Sequence, residues 1–247
     1  MTPESLVIIF IALAVGSFAK GITGIGLPPV SISILAVFFG VEHAIVVTTI
    51  PVAFANLQIV WVWWERWRQV PQILLPFIFA AAGVAVGTWA LATLNERLLT
   101  ILLTVWIALY LLTVLLNLKI EPEGRAARIF SPVIAGAAGI CQGATGMSGP
   151  LIATWAHAWG FVKETYVFAT ALLFTSISVS HVIAIAVAGL YDKERVVQGL
   201  LAIIPVVIFT ALGMRLTQKI SARVFNLIIV GLIAAMELKL VWGLIHG

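Results

Sequence analysis

Apolar residues run along this chain in long blocks, and polar residues appear between them as punctuation. Ser5–Ala19 and Leu27–Val41 are apolar for 15 residues each, with a glycine-rich stretch between them and Glu42-His43 behind. Ala44–Trp64, Gln69–Asn95 and Leu98–Leu118 follow as full-length runs. After a polar stretch, Lys119–Arg128, the plan repeats: Ile129–Val162 with a second glycine-rich stretch, Lys163-Glu164, then Thr165–Tyr191, Val196–Met214 and Val224–Trp242. Uncharged runs of about 20 residues are what an α-helix needs to cross a bilayer, whereas barrel strands are about 10 residues long and alternate. The pattern predicts an all-α polytopic membrane protein.

The two glycine-rich stretches are near copies. Lys20-Gly21-Ile22-Thr23-Gly24-Ile25-Gly26-Leu27-Pro28 returns as Gln142-Gly143-Ala144-Thr145-Gly146-Met147-Ser148-Gly149-Pro150. An offset of 122 superposes Gly21 on Gly143, Thr23 on Thr145, Gly24 on Gly146, Pro28 on Pro150 and Glu42 on Glu164. An offset of 126 superposes Gly87 on Gly213 and Arg97 on Arg223. The period is too long for a solenoid. It predicts two repeats, residues 1–118 and 129–247, joined by a connector over 119–128 within one membrane domain.

Fifteen helical residues reach about 22 Å, short of the roughly 30 Å hydrocarbon core. Each break is therefore expected to join two half-helices in a hairpin that enters and returns. A hairpin plus three spans per half makes the second repeat inverted relative to the first. Basic residues support this arrangement. One side receives Arg66, Arg68, Lys119, Arg125, Arg128, Lys163, Arg215, Lys219 and Arg223; the other receives Arg97, Lys193 and Arg195. Counting each broken stretch as a single crossing gives seven against five. Basic residues collect on the cytoplasmic side, so the inverted arrangement orients the chain better. It puts the connector in the cytoplasm and both termini in the periplasm of a bacterial inner membrane.

Composition agrees. The chain is 62% hydrophobic and 10% charged, with mean hydropathy +1.14. The net charge of +4 sits between apolar runs; it calls for orientation, not for nucleic acid. The stretch behind Met1–Glu4 lacks basic residues before it and a small-residue cleavage site after it, so it is expected to stay in place. One cysteine, Cys141, leaves no intrachain disulfide and no cysteine-rich metal site. No metal ligand set and no catalytic motif stands out, so an enzyme is not expected. The partners expected are the bilayer and a small anion, and a homo-oligomer is compatible with the pattern.

Broken helices inside a membrane free backbone groups that protein or a water-filled cavity must receive. Paired breaks in two halves point to a transporter's binding site. Half-helix N-termini favour anions, and Pro28 and Pro150 suit a first turn. The substrate-binding candidates are Lys20, Gly21, Thr23, Gly24 and Gly26, with Gln142, Gly143, Thr145, Gly146 and Ser148. Packing is the competing reading for the glycines: Gly136, Gly139, Gly143 and Gly146 share a helical face that could seat a neighbour. Lys20 could equally snorkel to an interface. His157 and His181 are proton-coupling candidates or neutral packed side chains. Asn56 and Gln58 map by the 122 offset to Ser178 and Ser180, as pathway lining or interhelical glue. Trp61, Trp63, Trp64 and Trp67 read as an interfacial aromatic belt.

The duplicated break, with Gly21, Gly24, Gly26 and Pro28 in one copy and Gly143, Gly146, Gly149 and Pro150 in the other, resembles the sulfite exporter TauE/SafE family of permeases. The resemblance spans nearly the whole chain. It implies movement of small sulfur-containing anions such as sulfite, sulfoacetate or other organosulfonates, and in some relatives of other organic acids. Ser148 stands where a glycine is expected, and Leu27-Pro28-Pro29 where a further glycine is often found. The expected function is a secondary transporter working by alternating access, without a cofactor, with H+ or Na+ as coupling ion. A passive anion channel and a permease for another small carboxylate are the alternatives.

Overall fold

A computed structural model describes residues 3–23, 26–70, 73–116, 129–159, 161, 163–216 and 222–246. Gly24 and the connector expected over 119–128 lie outside the described residues, as do the side chains of Thr23 and His157. Every described element is helical: α1 Pro3–Thr23, α2 Leu27–Phe39, α3 Val41–Val62, a 3₁₀ turn Trp64–Gln69, α4 Leu74–Thr93, α5 Glu96–Leu115, α6 Ser131–Thr145, α7 Gly149–Ala158, α8 Lys163–Val187, α9 Lys193–Leu201, α10 Ile203–Leu216 and α11 Ala222–His246. Seven described helical segments are long and apolar enough to cross a membrane, with α9 and α10 counted as one. The protein is an all-α, multi-pass membrane protein.

The two breaks differ in length. The expectation of a 15-residue first limb fails, because α1 runs on through Lys20-Gly21-Ile22 to Thr23 and reaches 21 residues. That is about 31 Å at 1.5 Å per residue, enough to cross the bilayer. One lysine and one glycine end an apolar run without ending a helix; glycine costs a helix only about 1 kcal/mol. At the second break α6 has 15 residues and α7 has 10, both short of a full crossing.

The chain forms two compact units that cut across the sequence halves. Unit 1 holds α1, α2, the start of α3, α5, and α9 to α11; unit 2 holds the rest of α3, the 3₁₀ turn, α4, and α6 to α8. The division falls within α3, just after Pro51-Val52.

Unit 2 is built on α4 against α6. Their backbones are in direct contact. A Cβ on Gly139 would lie 2.1 Å from the Ala80 carbonyl oxygen, and one on Gly143 would lie 2.5 Å from that of Val84. A Cβ on Gly83 would meet the Gly136 oxygen at 2.1 Å, and one on Gly87 that of Ile140 at 2.2 Å. Unit 1 is built on α1 against α10 in the same manner. A Cβ on Gly21 would lie 2.5 Å from the Thr210 oxygen, and one on Gly213 would lie 2.5 Å from the Phe18 oxygen. Gly21 is the repeat equivalent of Gly143, and Gly213 that of Gly87. The same glycine contact is thus made twice, each time between a break of one half and a helix of the other.

Polar contacts mark the helix ends. In unit 1 the Glu42 carboxylate pairs with Arg195 at 2.8 Å. Glu96 accepts from the Val41 N–H at 2.5 Å; it lies against Gly40, whose positive φ of 84° turns the chain from α2 into α3. In unit 2 Thr165 donates to the Gln69 side-chain oxygen at 2.5 Å. Trp61, Trp63, Trp64 and Trp67 are all exposed, as an interfacial belt requires.

Replacing Gly139 by alanine should lower stability by about 1–3 kcal/mol, because the methyl has only backbone to displace. Gly231 on α11 has nothing within 4 Å of an added Cβ, so Gly231→Ala should leave stability unchanged or raise it by up to about 1 kcal/mol. Melting of the two purified variants, compared with the wild type, checks both expectations.

Candidate functional site

The second break is built from its own side chains. Helix α6 stops where Gly146 takes a left-handed conformation, φ 72°, and its N–H returns to the Gln142 carbonyl at 2.8 Å. Glycine adopts this conformation without the Cβ penalty. The Gln142 side chain then braces the turn. Its amide donates to the Gly146 carbonyl at 2.9 Å, and its oxygen accepts from the Ser148 hydroxyl at 2.7 Å. Thr145 donates to the Cys141 carbonyl at 2.7 Å. Gln142, Thr145, Gly146 and Ser148 are all buried. Inside a bilayer such groups must be paired, and this break pairs them locally.

The sequence reading made Gln142 and Thr145 donors to an anion. In the structure one amide hydrogen of Gln142 and the Thr145 hydroxyl serve the break, and Ser148 serves Gln142. What remains is the start of α7. The first N–H groups of a helix have no intrahelical partner, and Pro150 has no N–H to offer, which leaves Gly149 and Leu151 as the donors there. Ser148 is buried, while Gly149 and Pro150 are partly open.

The first break offers fewer donors. Helix α2 starts at Leu27, with Pro28 and Pro29 next, and Val30 already donates to Gly26 at 3.1 Å. Leu27 therefore supplies the one unused N–H of that turn. Gly26 packs tightly, with an added Cβ 3.0 Å from that of Ala19. Lys20 is half-buried in the last turn of α1. Gly21 and Gly143 owe their small size to the helices packed on them, α10 and α4, so packing accounts for both without a ligand.

Unit 2 also holds a buried polar set beside the second break. Asn56 donates to Ser178 at 3.2 Å. These two residues are repeat equivalents, separated by the 122 offset itself. His181 lies one turn beyond Ser178 on α8 and is fully buried. Its ring faces the Gly143 backbone, yet neither nitrogen reaches good hydrogen-bond geometry among the described residues. A buried polar side chain without a full partner is uncommon and costly. Gln58 does not join this set: it is exposed, because two residues along a helix point to nearly opposite sides.

Sequence reasoning missed two braces. Trp155 donates to the Ser131 hydroxyl at 2.6 Å, tying α7 back to the start of α6. Glu96 holds the α2–α3 turn. A lone serine and a carboxylate between spans gave no signal of either. Replacing Gln142 by leucine should leave the Gly146 carbonyl and the Ser148 hydroxyl unsatisfied, costing about 1–3 kcal/mol. Thermal melting reads this loss.

Residues 8–240 match the family described as Sulfite exporter TauE/SafE. Comparison with curated proteins and with solved structures yields no significant match. The match covers both breaks and every described helix in whole or in large part. The chain belongs to the sulfite exporter TauE/SafE family of membrane transporters.

Proposed function

We propose that this protein is a secondary transporter carrying a small sulfur-containing anion, sulfite or an organosulfonate such as sulfoacetate, across the bacterial inner membrane by alternating access. The observation that carries the reading is the second break: a buried, internally braced turn whose remaining donors are the N–H groups opening α7. A helix N-terminus favours an anion through its free N–H groups and its dipole. The anion sits at the start of α7 in the second break; Lys20 is the cationic candidate of the first break.

Two inverted repeats, residues 1–118 and 129–247, account for the contacts at the helix ends. The Glu42–Arg195 ion pair supports putting residues 42 and 195 on one side of the membrane, and the Gln69–Thr165 bond does the same for 69 and 165. The inverted arrangement gives both pairs a common side; a single crossing per break separates both. The Asn56–Ser178 contact supports a meeting of the repeats at that point, and substrate sites of such folds lie at the repeat interface. His181, buried beside Gly143 without a full partner, is the proton-coupling residue of this reading.

Two experiments test it. A ligand that binds the folded state raises its melting temperature with concentration, by about 2.7 kcal/mol of stability at 100 times Kd. Sulfite, sulfate, thiosulfate, sulfoacetate, taurine and acetate form the panel. A shift with sulfite or a sulfonate, reduced in Leu151→Pro, which removes one of the N–H donors opening α7, is expected; no shift with any of the panel contradicts the anion reading. Orientation is tested in a Cys141→Ala background. Single cysteines at Arg97 and Asp192 should label from the periplasmic side, and one at Arg66 only after permeabilisation. Labelling of positions 97 and 192 from opposite sides would overturn the inverted arrangement.

A further inference from the structure

Unit 1 contains a cleft of about 500 Å³ where the end of α2, the start of α5 and the last turns of α11 come together. We propose that this cleft binds the phosphate headgroup of an anionic phospholipid, with Arg97 and Lys239 as its cationic partners and Thr100 as a polar one. The proposal is independent of what the protein transports.

The position of the cleft sets its depth in the membrane. Its walls are the termini of three helices: α2 ends at Phe39, α5 begins at Glu96 and α11 ends at His246. Apolar helices end where hydrocarbon gives way to headgroups. Arg97 is the second residue of α5. Lys239 lies seven residues before the end of α11, about 10 Å at 1.5 Å per residue. That is within reach of the interface for a side chain with a four-carbon stem.

Charge selects the ligand. The cleft is lined by two cations and one carboxylate. The carboxylate, Glu96, is already engaged, accepting from the Val41 N–H at the α2–α3 turn. No ion pair to Arg97 or Lys239 occurs among the described residues. The Lys239 ammonium instead lies over the Phe38 ring, 5.2 Å from its centre, which steadies the cation without neutralising it. A basic pocket between helix ends at headgroup depth is a recognised form of lipid site.

The apolar surround explains why the phosphate would come with acyl chains. Trp242 lines the cleft and is 64% exposed; Leu238 and Ile245 beside it on α11 are 71% and 70% exposed, and Phe38 is 54% exposed. Tryptophan with its ring partly exposed suits the lipid interface. A free phosphate would use the cations and leave this surface idle, whereas a phospholipid uses both.

The test uses the full chain, purified in a zwitterionic detergent, and three additives: phosphatidylglycerol, phosphatidylcholine and inorganic phosphate. Melting temperature and the number of lipids retained in native mass spectrometry are read together. Phosphatidylglycerol should raise the melting temperature at least twice as much as phosphatidylcholine, and one copy should survive delipidation. Inorganic phosphate should raise it little. Arg97→Gln with Lys239→Gln should abolish the excess shift and the retained lipid, while Arg97→Lys with Lys239→Arg keeps both and shows that charge is what matters. Equal shifts from the two lipids, an excess that survives the double glutamine variant, or a full effect from inorganic phosphate alone would each overturn the proposal.

Discussion

Two helices can bring their backbones into contact only where neither places a side chain between them, and that constraint organises both units. In a bilayer there is little hydrophobic gain in pressing helices together, because lipid is as apolar as leucine. Association rests on close packing and on polar contacts that lipid cannot supply. The pairing of α4 with α6 meets this need with glycine on both sides of the seam, and so does the pairing of α1 with α10. Each seam runs along a helix that ends in a break. The broken helix is thus fixed along its length, and its irregular end is held in place by the packing behind it.

That anchoring makes the polar accounting at the second break intelligible. A turn exposed to lipid would leave carbonyls and N–H groups unpaired at several kcal/mol each. Gln142 pairs the Gly146 carbonyl and the Ser148 hydroxyl, and Trp155 ties the returning helix α7 to Ser131 at the start of α6. The side chains at the break stabilise the turn, and in the proposed reading the main-chain donors at the start of α7 face the ligand. Backbone donors suit a small oxyanion: they are fixed in direction and carry no proton that could be lost to a basic ligand. The first break has two prolines where the second has one, so it offers fewer free N–H groups.

Much of this was legible in the sequence. Uniform apolar runs gave the helical membrane class, and the copied Gly-x-Thr-Gly gave the place of both breaks. The Gly136–Gly139–Gly143–Gly146 face offered packing as the competing reading; Gly136, Gly139 and Gly143 do make the seam with α4, while Gly146 ends α6. Helix length at the first break was not legible: hydropathy falls at Lys20 and Gly21, but helix geometry tolerates both, and α10 covers Gly21. The partners of the breaks were not legible either. Nothing local in Gly87 or Gly213 says that each faces the opposite half; only the pairing of equivalent glycines reveals it. A side chain that donates to a ligand and one that donates to its own turn look alike in sequence, so the local bonds of Gln142 and Thr145 were not legible there. Gln58 was grouped with Asn56 by repeat position, whereas helical geometry sends the two apart.

The central claim is that the paired breaks make a saturable carrier of a small sulfur-containing anion. Flux of radiolabelled sulfite into proteoliposomes containing the purified chain tests it most directly. The account predicts protein-dependent flux that saturates with sulfite concentration and is competed by unlabelled sulfoacetate. Flux that rises linearly without saturation, or no flux above protein-free liposomes for sulfite and sulfoacetate alike, would contradict it.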